Sequence, residues 1–199
     1  MKTALRAGIL GAAGLGVVAL VALMSWALSN KTPVTGMSGF TRVSQPAPVF
    51  VLPLFDGGKL ELANQLGKPM VINFWASWCS PCRDEAAGLE RTWRAYADDG
   101  VLFVGVNIQD SVQNALDYNK EFDVTYPNGH DSDGKITVDY GVVGLPVTFF
   151  VGRDGVVEGR WVGALPESRL LAWVNALIAG GPPAGDTEGT DLDRFEQLR

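Results

Sequence analysis

Cysteine and histidine are scarce, with two cysteines and one histidine in 199 residues. That excludes a tetrahedral zinc site built from Cys and His, which takes four ligands. It also excludes a small scaffold stapled by several disulfides. Basic residues are scarce as well: 16 Lys and Arg face 22 Asp and Glu, for a net charge of −6 and an isoelectric point near 4.7. That balance argues against a nucleic-acid surface. Acid is absent from residues 1–44, and charge of either sign is absent from Ala7 to Leu28. An apolar, basic leader therefore precedes an acidic body. At 47% hydrophobic and 19% charged, the chain as a whole has the composition of a globular protein.

The uncharged stretch from Ala7 to Leu28 would span about 33 Å as a helix, enough to cross the hydrocarbon core. The apolar part of a signal peptide is only about 7–15 residues. Residues 1–29 are therefore expected to be a retained membrane anchor or uncleaved signal, with Ala27-Leu28-Ser29 as the site if it were cut. Lys2 and Arg6 precede the span and Lys31 follows it. The positive-inside bias puts the N-terminus in the cytoplasm and the body outside, in the periplasm or an equivalent space. Residues 30–43 read as a flexible linker, 44–180 as one domain, and 181–199 as an acidic mobile tail.

Within the domain, Val49–Leu52 and Lys59–Leu62 flank Asp56-Gly57-Gly58 as a hairpin. Met70–Trp75 and Val101–Asn107 are apolar runs of the buried-strand type. Helices are expected over Ser80–Ala97 and Ser111–Phe122, the second capped by Asp110 or Ser111. Val147–Val151 and Val156–Val162 form a second hairpin around Arg153-Asp154-Gly155. A last helix follows Pro166, with Leu170, Val174, Leu177 and Ile178 on one face. This order predicts an α/β fold, a central mixed sheet flanked by helices. Pro127–Gly134 reads as a polar loop holding the solvated His130.

Both cysteines sit in Trp78-Cys79-Ser80-Pro81-Cys82, just after a buried strand and at the start of a helix. Unpaired N–H groups and the helix dipole favour negative charge there. A thiolate at Cys79 would be stabilised, with its pKa below the free value of about 8.5. Cys79 is then the exposed nucleophile, and Cys82, one turn inside, resolves the mixed disulfide. A purely structural disulfide gains little from closing so short a loop. Glu85 lies at i+3 from Cys82. Partly buried, it would take the Cys82 proton and raise both thiol pKa values; on a wet face it would only complement the helix dipole.

Residues 71–85, Val-Ile-Asn-Phe-Trp-Ala-Ser-Trp-Cys-Ser-Pro-Cys-Arg-Asp-Glu, resemble the active-site segment of thioredoxin-fold proteins. Residues 140–151, Tyr-Gly-Val-Val-Gly-Leu-Pro-Val-Thr-Phe-Phe-Val, resemble the segment that carries the cis-proline loop of that fold. The opening Gln45-Pro46-Ala47-Pro48 and the closing Trp161-Val162-Gly163-Ala164-Leu165 are similar to those of the membrane-anchored TlpA/ResA/CcmG (DsbE) group. The resemblance covers about residues 44–180 and implies a thioredoxin-like fold. It implies that Cys79 and Cys82 are the redox-active pair and that Pro146 is cis. Leu145 would pair with the client through its backbone, beside Trp78 and Val147. Glu85 matches an acid that this group places three residues after the second cysteine. Asn73 stands where cytoplasmic thioredoxins keep a buried aspartate, so Glu85 would partly replace that acid. Val147 departs from the cytochrome c maturation thioredoxins, which usually carry glutamate after the cis-proline, and it opens the broader grouping.

The implied function is extracytoplasmic thiol–disulfide exchange that reduces client proteins, among them apocytochrome c. A membrane electron donor of the CcdA/DsbD type would reset the enzyme, which is expected to be a monomer without cofactor. Three alternatives stand beside this: a reductase or oxidase not tied to cytochrome c, a redox-independent assembly factor, and peroxide reduction. The last wants a hydroxyl residue three before the cysteine, where this chain has Ala76.

Overall fold

The computed structural model describes residues 43–183, together with Gly16 and Leu20, both helical. The expected anchor over 1–29 otherwise lies outside the described residues, as do the linker apart from Val43 and the tail beyond residue 183. Among the described residues no helix is long and apolar enough to cross a membrane. The chain divides into a unit over Met1–Met37 and a unit over Ser38–Arg199; the second carries the site.

Three wholly buried runs make the middle of the sheet: β3 (Met70–Trp75), β4 (Leu102–Asn107) and β6 (Val147–Val151). Apolar residues at nearly every position suit strands covered on both faces. β4 lies parallel to β3, and β6 lies antiparallel on the other side. The edges are β5 (Asn128–His130) and β7 (Val157–Val162), so the order is β5-β4-β3-β6-β7. A separate hairpin pairs β1 (Val51–Pro53) with β2 (Lys59–Glu61). The mixed, thioredoxin-like α/β sheet is as expected, and the strands expected at 70–75 and 147–151 keep those bounds.

Alternation along each strand separates two cores. Ile72, Phe74, Val147 and Phe149 pack on one face with Leu52, Tyr140 and their neighbours. Val71 and Phe150 pack on the other with Leu89, Leu170 and Trp173. The second face is covered by α1 (Ser80–Tyr96) and by the C-terminal helix Glu167–Ala179, tied together by Arg91 and Glu167 at 2.7 and 3.1 Å. A Cβ on Gly159 would come within 2.2 Å of the Trp173 ring, which stacks on Phe150, so glycine is required there.

The helix α2 (Val112–Glu121) is capped by Ser111, whose Oγ accepts from Asn114 N–H at 3.1 Å. The stretch 127–134 read as a polar loop holds the strand β5, and the short helix α3 (Lys135–Asp139) follows directly after it. β5 is three residues long and polar, and it is held by parallel pairing to β4 rather than by any local pattern. Asp131 caps α3 by accepting from Ile136 N, Thr137 N and Thr137 Oγ1. The C-terminal helix, now α4, starts after Pro166 and ends at Gly180, where φ is +90°.

Candidate active site

The strand β3 ends at Trp75 and α1 starts at Ser80, so Trp78 and Cys79 lie in the turn between sheet and helix while Ser80, Pro81 and Cys82 open the helix itself. Cys79 is the N-cap of α1, and its sulfur accepts from Cys82 N–H at 3.2 Å. Its position thus puts the sulfur where the helix N–H groups converge. Cys79 and Cys82 are joined by a disulfide, with Cα atoms 5.3 Å apart. Cys79 is only 4% exposed, not an open nucleophile as expected, and Cys82 is fully buried. The two sulfurs share an apolar cluster with Trp75, Ala76, Ala86, Ala115 and Tyr118, and Leu145 packs against it.

The Leu145–Pro146 peptide is cis. Leu145 is half-buried, whereas Val143 is 84% exposed and Trp78 is 60% exposed. Trp78 donates its indole N–H to the Gln109 carbonyl at 2.9 Å, which fixes the ring at the surface. Val147, expected to touch the client, is 1% exposed and belongs to the core. The alternation of β6 turns its side chain away from the surface. Trp75 is buried, stacks on Tyr118 at 4.2 Å, and donates to Asn128 Oδ1 at 2.7 Å. The Tyr118 hydroxyl donates to the Cys82 carbonyl at 2.9 Å.

Glu85 is buried on α1, one turn beyond Cys82. Its Oε1 accepts from Asn73 Nδ2 at 2.7 Å and its Oε2 from Leu165 N–H at 2.6 Å. Burial disfavours the carboxylate strongly, and these two donors offset only part of that. The pKa is raised from 4.5 to about 7. Of the two readings of Glu85, the structure therefore selects the buried one. Arg83 is engaged by Glu121 and lies over the Phe122 and Tyr118 rings at 5.0 and 5.8 Å, so its charge is spoken for.

Asp110 lies beside the turn. Its carboxylate accepts from Ser77 N at 2.6 Å, Ser77 Oγ at 2.9 Å, Asn107 Nδ2 at 3.1 Å and Ser111 N at 2.8 Å. Partial burial pushes its pKa up, but these donors together outweigh it and hold it below the usual carboxylate range. The sequence offered Asp110 only as a helix cap, and nothing local marked its reach back to Ser77. Thr148 and the Leu165 amide were likewise missed; they come 75 and 80 residues after the side chains they bind. His130, expected in solvent, is half-buried on β5, with Nδ1 2.9 Å from Asn107 Oδ1. Among the described residues no group of His, Cys, Asp and Glu is arranged to hold a metal ion.

Comparison with known proteins agrees with this geometry. Residues 43–160 match the AhpC/TSA family. The thiol:disulfide interchange protein DsbE of Pseudomonas fluorescens biotype C is 36% identical over 139 residues, 69% of this chain and 74% of that protein. The thiol–disulfide oxidoreductase ResA of Bacillus subtilis is 32% identical over 139 residues, 70% of this chain and 77% of that protein. Among solved structures, a secreted disulfide oxidoreductase of Mycobacterium tuberculosis homologous to E. coli DsbE is 28% identical with a TM-score of 0.60. That alignment covers 64% of this chain and 95% of the other. StoA of Bacillus subtilis is 27% identical with a TM-score of 0.57, covering 64% and 97%.

Proposed function

Given that this chain belongs to the AhpC/TSA family and is a thiol–disulfide oxidoreductase of the DsbE and ResA type, we propose that it works outside the cytoplasm, tethered by residues 7–28, as a reductant of client disulfides, with apocytochrome c the favoured client. The observation that carries the direction is the charge around the cysteine pair. A strong oxidant of this kind owes its potential to a stabilised reduced form. Here the buried group one helical turn beyond Cys82 is an acid, Glu85, and the neighbouring cation, Arg83, is bound to Glu121. An added negative charge would raise the thiol pKa values and favour giving electrons away.

The exchange runs in two displacements. The Cys79 thiolate attacks one sulfur of the client disulfide, forming a Cys79–client disulfide and releasing the other client sulfur as a thiolate, which takes a proton. Cys82 then gives its proton to Glu85 and attacks Cys79 Sγ. The Cys79–Cys82 disulfide closes and the second client thiolate leaves. Two electrons pass from the cysteine pair to the client. The oxidised pair seen here would be reset by a membrane dithiol carrier of the CcdA/DsbD type. The exposed Trp78 ring and Leu145, which packs against the cysteine cluster, would contact the client; the core position of Val147 leaves it no such part.

Equilibration with a glutathione buffer tests the direction: a potential near −270 mV is expected, and one near −120 mV would overturn it. The Cys82→Ala variant tests the client. It should hold a stable mixed disulfide on Cys79, and mass spectrometry should find apocytochrome c attached. Unrelated clients alone would make this a general reductase, a reading that Val147, in place of the usual glutamate, also favours.

A further inference from the structure

Glu85 sits on α1, yet neither of the two bonds that orient its carboxylate comes from α1. They come from Asn73 on β3 and from Leu165 in the loop before α4, and the segment of each is tied by a further hydrogen bond to a residue at or near Pro146. Oε1 is held by the Asn73 amide, whose second N–H goes to Thr148 Oγ1 at 3.0 Å. Thr148 lies two residues after Pro146, directly opposite Asn73 in the β3–β6 pairing. Oε2 is held by Leu165 N–H, two residues after Gly163, whose own N–H donates to the Pro146 carbonyl at 2.9 Å. The carboxylate is thus gripped by the two segments anchored at the loop that the client would occupy.

We propose that Thr148 and the Leu165 backbone amide are positioning groups for the exchange, and that a client seated on Leu145–Pro146 acts through them on the carboxylate that takes the Cys82 proton. This rests on the reading of Glu85 as that acceptor. Donors on a carboxylate favour its ionised form, and slackening them favours the protonated form. A client strand that draws the loop outward slackens both bonds at the moment Cys82 Sγ must lose its proton. On release the bonds tighten and the proton leaves. A cleft of about 260 Å³ beside Glu85, lined by Asp84, Arg91, Leu165 and Glu167, gives it a way out. Tyr118 on α2 and Tyr126 ahead of β5 lie within reach of the Glu85 charge. Burial pushes both tyrosines up, so they stay neutral.

The test is the pH profile of disulfide reduction in Thr148→Val, Glu85→Gln and the double variant, with the melting temperature recorded alongside. Loss of the Thr148 acceptor frees the Asn73 amide to turn away from Glu85. The Glu85-dependent limb should then move up by about one pH unit, and Thr148→Ser should restore it. In the Glu85→Gln background the valine substitution should move nothing further. If Thr148→Val does not fold, Thr148→Ala takes its place with the same expected shift. A limb that disappears in Glu85→Gln but stays put in the Thr148 variant overturns this inference and leaves the proton-acceptor role standing. A profile unmoved by Glu85→Gln itself overturns both.

Discussion

Two carboxylates adjoin the segment from Ser77 to Glu85, and they are driven in opposite directions. Glu85, one helical turn beyond Cys82, is buried and has two donors; its pKa is raised to about 7. Asp110, beside the turn, is half-buried and accepts four hydrogen bonds; its pKa is lowered. The contrast lies in the number of donors set against the loss of water. Two donors cannot replace the hydration of a buried carboxylate, so Glu85 is poised to exchange a proton near neutral pH. Four donors on a half-hydrated carboxylate make a fixed anion, suited to clamping Ser77 and, through it, the start of the turn. One acid is thus suited to chemistry and the other to architecture.

The largest effect that tests this contrast is on stability against pH. A carboxyl with a raised folded pKa binds a proton that the unfolded chain releases. The oxidised protein should therefore lose stability as pH rises from 4.5 to about 7, by about 3 kcal/mol in all. Glu85→Gln should flatten that slope in urea unfolding; an unchanged slope would move the raised pKa to another group. Next comes rate. Single-turnover reduction of a peptide disulfide by Glu85→Gln at pH 7 should be slower by about 100-fold, the usual scale for a lost proton acceptor. Equal rates would place Glu85 with Asp110 as architecture. The smallest effect belongs to Asp110→Ala, which should cost about 1–2 kcal/mol at neutral pH, discounted for partial exposure. Its sign is opposite: because the folded pKa is depressed, the contribution of Asp110 is present above the ordinary carboxylate range and disappears as pH falls through it. A difference between variant and wild type that persisted undiminished in acid would remove the charge from that account.

Much of this site was legible along the chain. Trp78–Cys82 follows a continuous apolar run and opens a helix, so a strand–turn–helix with two cysteines at its corner could be placed without tertiary information. Ser111 was recognisable as a cap because its bond to Asn114 spans three residues. The stretch from Asn128 to Asp139 was not legible. β5 depends on parallel pairing with a strand more than twenty residues earlier, and α3 depends on the side chain of Asp131. His130 was placed in solvent for the same reason, since Asn107, which holds it, is 23 residues away. Val147 looked like a client contact because it follows Pro146, but the side to which a strand residue points is set by sheet register.

The amino-acid order by itself determined where the central strands run, where the cysteine pair sits relative to a helix end, and that an acid follows one turn later. These depend on hydrophobic period, caps and spacing, all of which act over a few residues. Only the tertiary structure decided that this acid would lose its water, and that Asn73 and Leu165 would be its partners. Desolvation is a property of everything packed around a group, and Leu165 reaches Glu85 across 80 residues of chain.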